Sequence, residues 1–140
     1  MARQTFTSAQ ILTAAQMNTL QASVWSDDVN TQTGTTYTLV LADAGKQVTL
    51  SNASAVTVTV PTNATVAFAI GVRIYLINLG AGVVTVAGAG GVSVLQGNND
   101  LNMPQYGTMV LFKTATDSWV AEYAYDAEDD QPILANQIFS

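Results

Sequence analysis

Two residue types that carry much of protein chemistry are missing from this chain: it has no cysteine and no histidine. The first absence excludes disulfide staples, thiol nucleophiles and thiolate metal sites. The second excludes His-based acid–base chemistry and every Ser-His-Asp triad. Charge is scarce as well, at 10% of the 140 residues, where an ordinary soluble domain carries roughly 25%. Four Lys and Arg stand against ten acids, for a net charge of −6. That balance argues against nucleic-acid or anionic-membrane partners, since both demand clustered cations. No apolar run approaches the ~18–20 residues of a membrane span, because Thr, Asn and Gly interrupt each one. No membrane insertion is therefore expected. The opening Met1–Phe6 lacks the layout of a signal peptide, so synthesis in a cytoplasm without export is the expectation.

What is present is apolar and neutral. Hydrophobic residues make up 49% of the chain, and Thr, Ser, Asn and Gln do most of the work of a polar surface. The length suits one domain, or one domain with an arm. The pattern changes character near residue 30. Residues 12–25 read as a short helix, with Thr13 as N-cap and Gln16 three residues on completing a capping box. Leu12 and Met17 form the hydrophobic staple, and Met17, Leu20 and Val24 recur at helical spacing. So short a helix is marginal alone and needs a surface to dock on, either its own domain or another subunit.

From Thr35 onward the period is two. Val56-Thr57-Val58-Thr59-Val60 alternates strictly and ends at Pro61, and Val66–Ala69, Val72–Asn78, Val83–Val86, Val92–Leu95, Thr108–Lys113 and Ser118–Ala124 follow as further strands. Asp43-Ala44-Gly45-Lys46, Leu79–Gly82 and Gly88–Gly91 supply turns. About eight short strands with a turn every 8–12 residues predict an all-β fold, an antiparallel β-sandwich, jelly-roll-like or barrel module, with a short N-terminal helical arm. The division that follows is an arm over 1–34 with its helix over 13–25, a β-module over 35–125, and an acidic linker with an apolar terminal segment over 126–140. Val83–Val86 and Val92–Leu95 are uncharged and apolar, and as exposed edges they would invite aggregation. A chain with so few guarding charges is easier to understand as part of an assembly.

Candidate chemistry is thin. The Gly80–Gly91 stretch contains no Lys for a phosphate loop and precedes a strand rather than a helix, so tight turns explain it. Asp126, Glu128, Asp129 and Asp130 lack calcium-loop spacing and read as a solvated linker. Glu122 with Asp117 could form a glycosidase-like pair, yet nothing in the sequence perturbs either acid. Neither a cofactor nor a metal is implied, and enzymatic activity is not expected. Trp25, Tyr37, Tyr75, Tyr106, Trp119, Tyr123 and Tyr125 remain. They serve packing, or else stack on sugar rings, which keeps a carbohydrate-binding module or receptor-binding adhesin as the alternative function.

Two segments resemble tailed-bacteriophage virion structural proteins. Thr5-Phe6-Thr7-Ser8-Ala9-Gln10-Ile11-Leu12-Thr13-Ala14-Ala15-Gln16-Met17-Asn18 is similar to an opening found on many such proteins, with Ala9 where that pattern often has Gly. Tyr37–Lys46, Val56–Pro61, Ile70–Ile74, Leu79–Ala87 and Asp117–Val120 occur in the order of small β-modules from phage tail fibres and head appendages. The resemblance implies a virion component without catalytic activity, either a capsid decoration protein or head appendage, or a short tail-tip or fibre protein. Its partners would be other virion proteins and copies of itself, as a homotrimer or other homo-oligomer, with a host-surface glycan as a further partner. The anchor contacts expected on the arm are Phe6, Leu12, Met17, Leu20 and Trp25. The terminal segment offers Ile133, Leu134, Ile138 and Phe139 for docking on the domain or on a neighbour.

Overall fold

The computed structural model of the chain describes residues 13–18 and 29–123. In Val56–Val60 the three valines are buried while Thr57 and Thr59 face outward. This alternation is the pattern of a strand with one wet face and one core face. Among the described residues ten strands form in chain order: β1 (Val29–Gln32), β2 (Thr36–Thr38), β3 (Gln47–Leu50), β4 (Val56–Val60), β5 (Arg73–Asn78), β6 (Val84–Gly88), β7 (Ser93–Leu95), β8 (Asn102–Met103), β9 (Thr108–Ala115) and β10 (Ser118–Tyr123). A 3-10 turn at Leu41–Asp43 interrupts the path from β2 to β3.

The strands lie in two sheets, one ordered β1-β3-β5-β9-β10-β7 and the other β2-β4-β6-β8. Up to β6 the chain crosses from one sheet to the other at every step. Its returns pair in parallel: Val29 lies opposite Gln47 and Gln47 opposite Tyr75 in the first sheet. Thr36 lies opposite Thr57 and Val56 opposite Val84 in the second. The chain therefore winds as a β-solenoid of three coils, β1–β2, β3–β4 and β5–β6. The far end is closed differently: β9 and β10 form an antiparallel pair added to β5, β7 joins β10 in parallel, and β8 runs antiparallel on β6.

Between the sheets lies the core of Leu39, Val48, Leu50, Val56, Val58, Val60, Phe68, Ile74, Leu76, Val84, Val86, Met103, Met109, Leu111, Trp119 and Ala121. Stacked corners hold successive coils in register. A side chain at Gly82 would collide with the Ser54 carbonyl, and one at Gly80 with the Asn52 backbone, so only glycine lets these turns nest. Buried Asn78 fastens the same corner. Its Nδ2 donates to the Gly82 and Met103 carbonyls at 2.8 and 3.0 Å, and its Oδ1 accepts the Gly80 N–H at 3.0 Å.

The all-β expectation with two sheets holds, but the antiparallel sandwich, jelly roll or barrel is corrected to a largely parallel coil. Parallel neighbours need a long crossover, usually a helix. Here the crossover is a strand of the facing sheet, so alternation and turn spacing look the same as in a sandwich. Val66–Ala69, expected as a strand, lies in the corner loop between β4 and β5, with Phe68 turned into the core. β1 and β8 were not anticipated. Of the two expected edges, β6 sits between β4 and β8, whereas β7 does end its sheet. The capping box is formed: the Thr13 N–H donates to Gln16 Oε1 at 2.9 Å, and the Gln16 N–H to Thr13 Oγ1 at 3.2 Å. Residues 14–18 are helical, and the rest of the expected 13–25 helix lies outside the described residues.

Candidate interaction surface

The two ends of the coil are built differently. At the far end β8, β9, β10 and β7 cover the third coil, whereas among the described residues nothing pairs with the outer edges of β1 and β2. The interior changes to match. Register columns run Leu76–Val48–Asn30, Asn78–Leu50–Gln32 and Val86–Val58–Tyr37 from the third coil to the first. Inward positions that are mostly aliphatic in the inner coils thus become Asn30, Gln32 and Tyr37 in the last layer. A stacked array needs such a polar final layer, because its outer side meets water rather than another coil.

These side chains form one continuous network around Asp43, which is 1% exposed. Gln32 Nε2 donates to Asn30 Oδ1 at 2.6 Å, and Asn30 Nδ2 donates to the Tyr37 hydroxyl at 2.7 Å and to Asp43 Oδ1 at 2.8 Å. The Tyr37 hydroxyl and the Val40 N–H both donate to Asp43 Oδ2, at 2.8 and 2.9 Å. The carboxylate thus accepts three hydrogen bonds, which is how a buried charge is tolerated. Burial, and next the hydrogen bond to Asp43, push the Tyr37 phenol up to about 12. It stays protonated at neutral pH and acts as a donor that braces the carboxylate.

Around this polar layer the rim is apolar. Leu41 is 57% exposed, Val29 51% and Val40 45%. A shallow cavity of about 210 Å³, lined by Val29, Asn30, Val40, Ala42, Asp43 and Lys46, opens here. The end of the coil is therefore a polar floor with a greasy rim and two free sheet edges. Its chemistry suits a protein surface or an added strand: main-chain groups for pairing, and apolar side chains to bury.

At the closed end, Lys113 occupies an inward position of β9, in register with Trp119 of β10. Its ammonium is buried, donating to Asn63 Oδ1 at 2.5 Å and to the Phe68 carbonyl at 2.8 Å, 5.8 Å from the Trp119 ring centroid. Phe68 packs edge-on to the same indole at 5.4 Å, and the Asn63 N–H donates to Asp117 Oδ1 at 2.6 Å. This cluster ties the long β4–β5 corner to β9 and β10.

Of the expected anchor residues, only Met17 falls among the described residues, and it is exposed. Phe6, Leu12, Leu20 and Trp25 lie outside them, as do the acidic run 126–130 and Ile133, Leu134, Ile138 and Phe139. Asp117 and Glu122 are not brought together: Asp117 caps the corner loop, while Glu122 faces outward from β10 opposite Val110. Among the described residues no group of three acids is placed to hold a metal, and no helix is long and apolar enough to cross a membrane. Trp119 is core. Tyr106 is 72% exposed and held at φ 66°, where a bulky side chain is uncommon. The Asn30–Tyr37–Asp43 network was not anticipated. Its signal was Val29-Asn30-Thr31-Gln32, a strand with polar residues at its inward positions, which reads as part of the arm.

Comparison of the chain with protein-family models, curated proteins and solved structures gives no match.

Proposed function

We propose that this chain is a non-enzymatic structural subunit of a tailed-phage particle, seated by its N-terminal arm and joined to its neighbours through the open end of its coil. The observation that carries the reading is the asymmetry of the two ends. Among the described residues the first coil leaves β1 and β2 with free edges and Val29, Val40 and Leu41 exposed, and in the sequence the arm directly precedes this coil. The resemblance of residues 5–18 to virion proteins supports seating on a capsid or tail. A body with so few charges suits packing against other virion proteins and further copies of itself, as a homotrimer or other homo-oligomer. The particle is then its location, as a decoration protein, head appendage, or short tail-tip or fibre subunit.

Sedimentation velocity over a wide concentration range tests the assembly. Wild-type chain sediments as a concentration-dependent oligomer. Val29→Asp with Leu41→Asp sediments as a folded monomer, because the exposed positions tolerate a charge while the interface does not. A wild-type monomer at every concentration contradicts the proposal.

A second reading, a glycan-binding surface, is favoured by one feature. The Tyr106 N–H is held by the Asn78 carbonyl at 2.6 Å, and the ring projects from the turn. An exposed aromatic on a fixed backbone is a stacking platform for sugar rings. Titration with a glycan panel, read by Tyr106 ring NMR shifts in wild type and their loss in Tyr106→Ala, decides it. Absence of any shift at millimolar sugar removes that reading.

A further inference from the structure

The outer faces of the two sheets are unlike. On the four-stranded sheet the rows read Thr36–Thr57–Thr85–Asn102 and Thr38–Thr59–Ala87, short side chains that are polar except for Ala87. On the six-stranded sheet one row reads Arg73–Phe112–Val120–Leu95, flanked by Tyr75, Val110 and Glu122 of the next. Leu95 is 56% exposed and Val120 39%, so a contiguous apolar strip crosses β9, β10 and β7 with nothing over it among the described residues. A contiguous strip of this kind marks a surface that something covers.

We infer that the strip is covered by the chain's own C-terminal segment, residues 133–139. The chain leaves β10 at Tyr123, only three residues beyond Val120 on the same strand, a distance of about 10 Å. Seventeen residues follow. The nine of 124–132 reach up to about 30 Å when extended, ample to turn back across the strip. Beyond them come Ile133, Leu134, Ile138 and Phe139, apolar residues that match the strip in character. Charge beside the strip is mixed: Arg73 stands at the end of the row, its guanidinium 5.5 Å from the Phe112 ring centroid, and Glu122 stands in the flanking row, while the linker carries Asp126, Glu128, Asp129 and Asp130. A tether this short holds the segment at an effective concentration on the order of millimolar, which favours its own strip over that of a second copy. The face is thus shielded within one molecule and leaves the open coil end as the surface for assembly. The inference stands whether or not that end is used on a particle.

The chain has no cysteine, so a Val120→Cys, Phe139→Cys pair is unique and reports contact directly. Mild oxidation at micromolar protein should give an intramolecular disulfide, seen as a monomer two mass units lighter whose yield does not depend on concentration. A disulfide-linked dimer instead overturns the inference in favour of a neighbour's segment, and no disulfide overturns it outright. Ile138→Asp with Phe139→Asp in the full chain gives an independent reading. Binding of an apolar dye rises several-fold and amides of 118–120 exchange faster, with circular dichroism unchanged. Unchanged dye binding and exchange also overturn it, whereas loss of the oligomer in the Val29→Asp, Leu41→Asp chain bears only on the open end.

Discussion

Replacing Tyr37 by Phe removes one oxygen from the polar layer and leaves the ring's packing in place. That oxygen donates to Asp43 Oδ2 at 2.8 Å and accepts from Asn30 Nδ2 at 2.7 Å. Its loss leaves the carboxylate two donors of three. A hydrogen bond to a charged group contributes roughly 1.5–3 kcal/mol. The layer is partly wetted at its rim, so water replaces some of it and about 1.5 kcal/mol is the expected loss near neutral pH. The pH dependence gives a sharper test. The phenol is raised from 10.0 to about 12 in the folded chain. A group whose pKa is raised on folding stabilises fully below its unfolded value, and that contribution disappears as pH climbs through the folded one. The gap between wild type and Tyr37→Phe should stay constant from about pH 7 to 9 and narrow between about pH 10 and 12. Other tyrosines and lysines titrate in both proteins and cancel in the difference. Urea unfolding followed by the emission of buried Trp119 measures it. A gap below about 0.5 kcal/mol at neutral pH, or one that does not narrow above about pH 10, refutes the bracing role of Tyr37.

Two further outcomes follow from the corners. Gly82→Ala should lower stability by about 3 kcal/mol, because its methyl meets the Ser54 carbonyl of the coil below. Gly90→Ala, with no atom within 4 Å of the added carbon, should stay within about 0.5 kcal/mol. Calorimetry of the two variants separates nested from open turns, and equal melting temperatures would contradict the stacked corner. Lys113→Met should cost about 2–4 kcal/mol by stranding the Asn63 and Phe68 carbonyls. A shift in the urea midpoint worth less than about 1 kcal/mol would mean that those carbonyls are satisfied without the ammonium.

How the strands lie was less legible than that they exist. Val56–Val60 and Arg73–Asn78 announce themselves through alternation, and the Thr13–Gln16 box through spacing; each is a local signal read within a few residues. Parallel pairing is not local. Gln47 meets Tyr75 across an entire coil, and nothing near either residue says so. The corner glycines hinted at it, since Gly80 and Gly82 are demanded by the Asn52–Ser54 turn below them rather than by their own backbone angles. The open end was harder to read because its polar layer imitates an arm. Asn30 and Gln32 take inward positions that hold Val48 and Leu50 one coil away, so hydrophobic alternation fails where the stack ends. Lys113 was legible in principle, as the one charged residue in the inward series Met109–Leu111–Lys113. Such a lysine needs an internal partner, and Asn63 and Phe68 supply it from the β4–β5 corner, of which only residues 66–69 read as a strand.

In the proposed assembly the open first coil is the surface through which copies join. Amide hydrogen exchange on the intact chain, at dilute and concentrated protein, tests it most directly. If β1 and β2 are paired or covered in the assembly, the amides of 29–32 and 36–38 gain protection at high concentration while those of β8 and of Thr57, Thr59 and Thr85 do not. Equal exchange of β1 and β2 at both concentrations would contradict assembly through that coil.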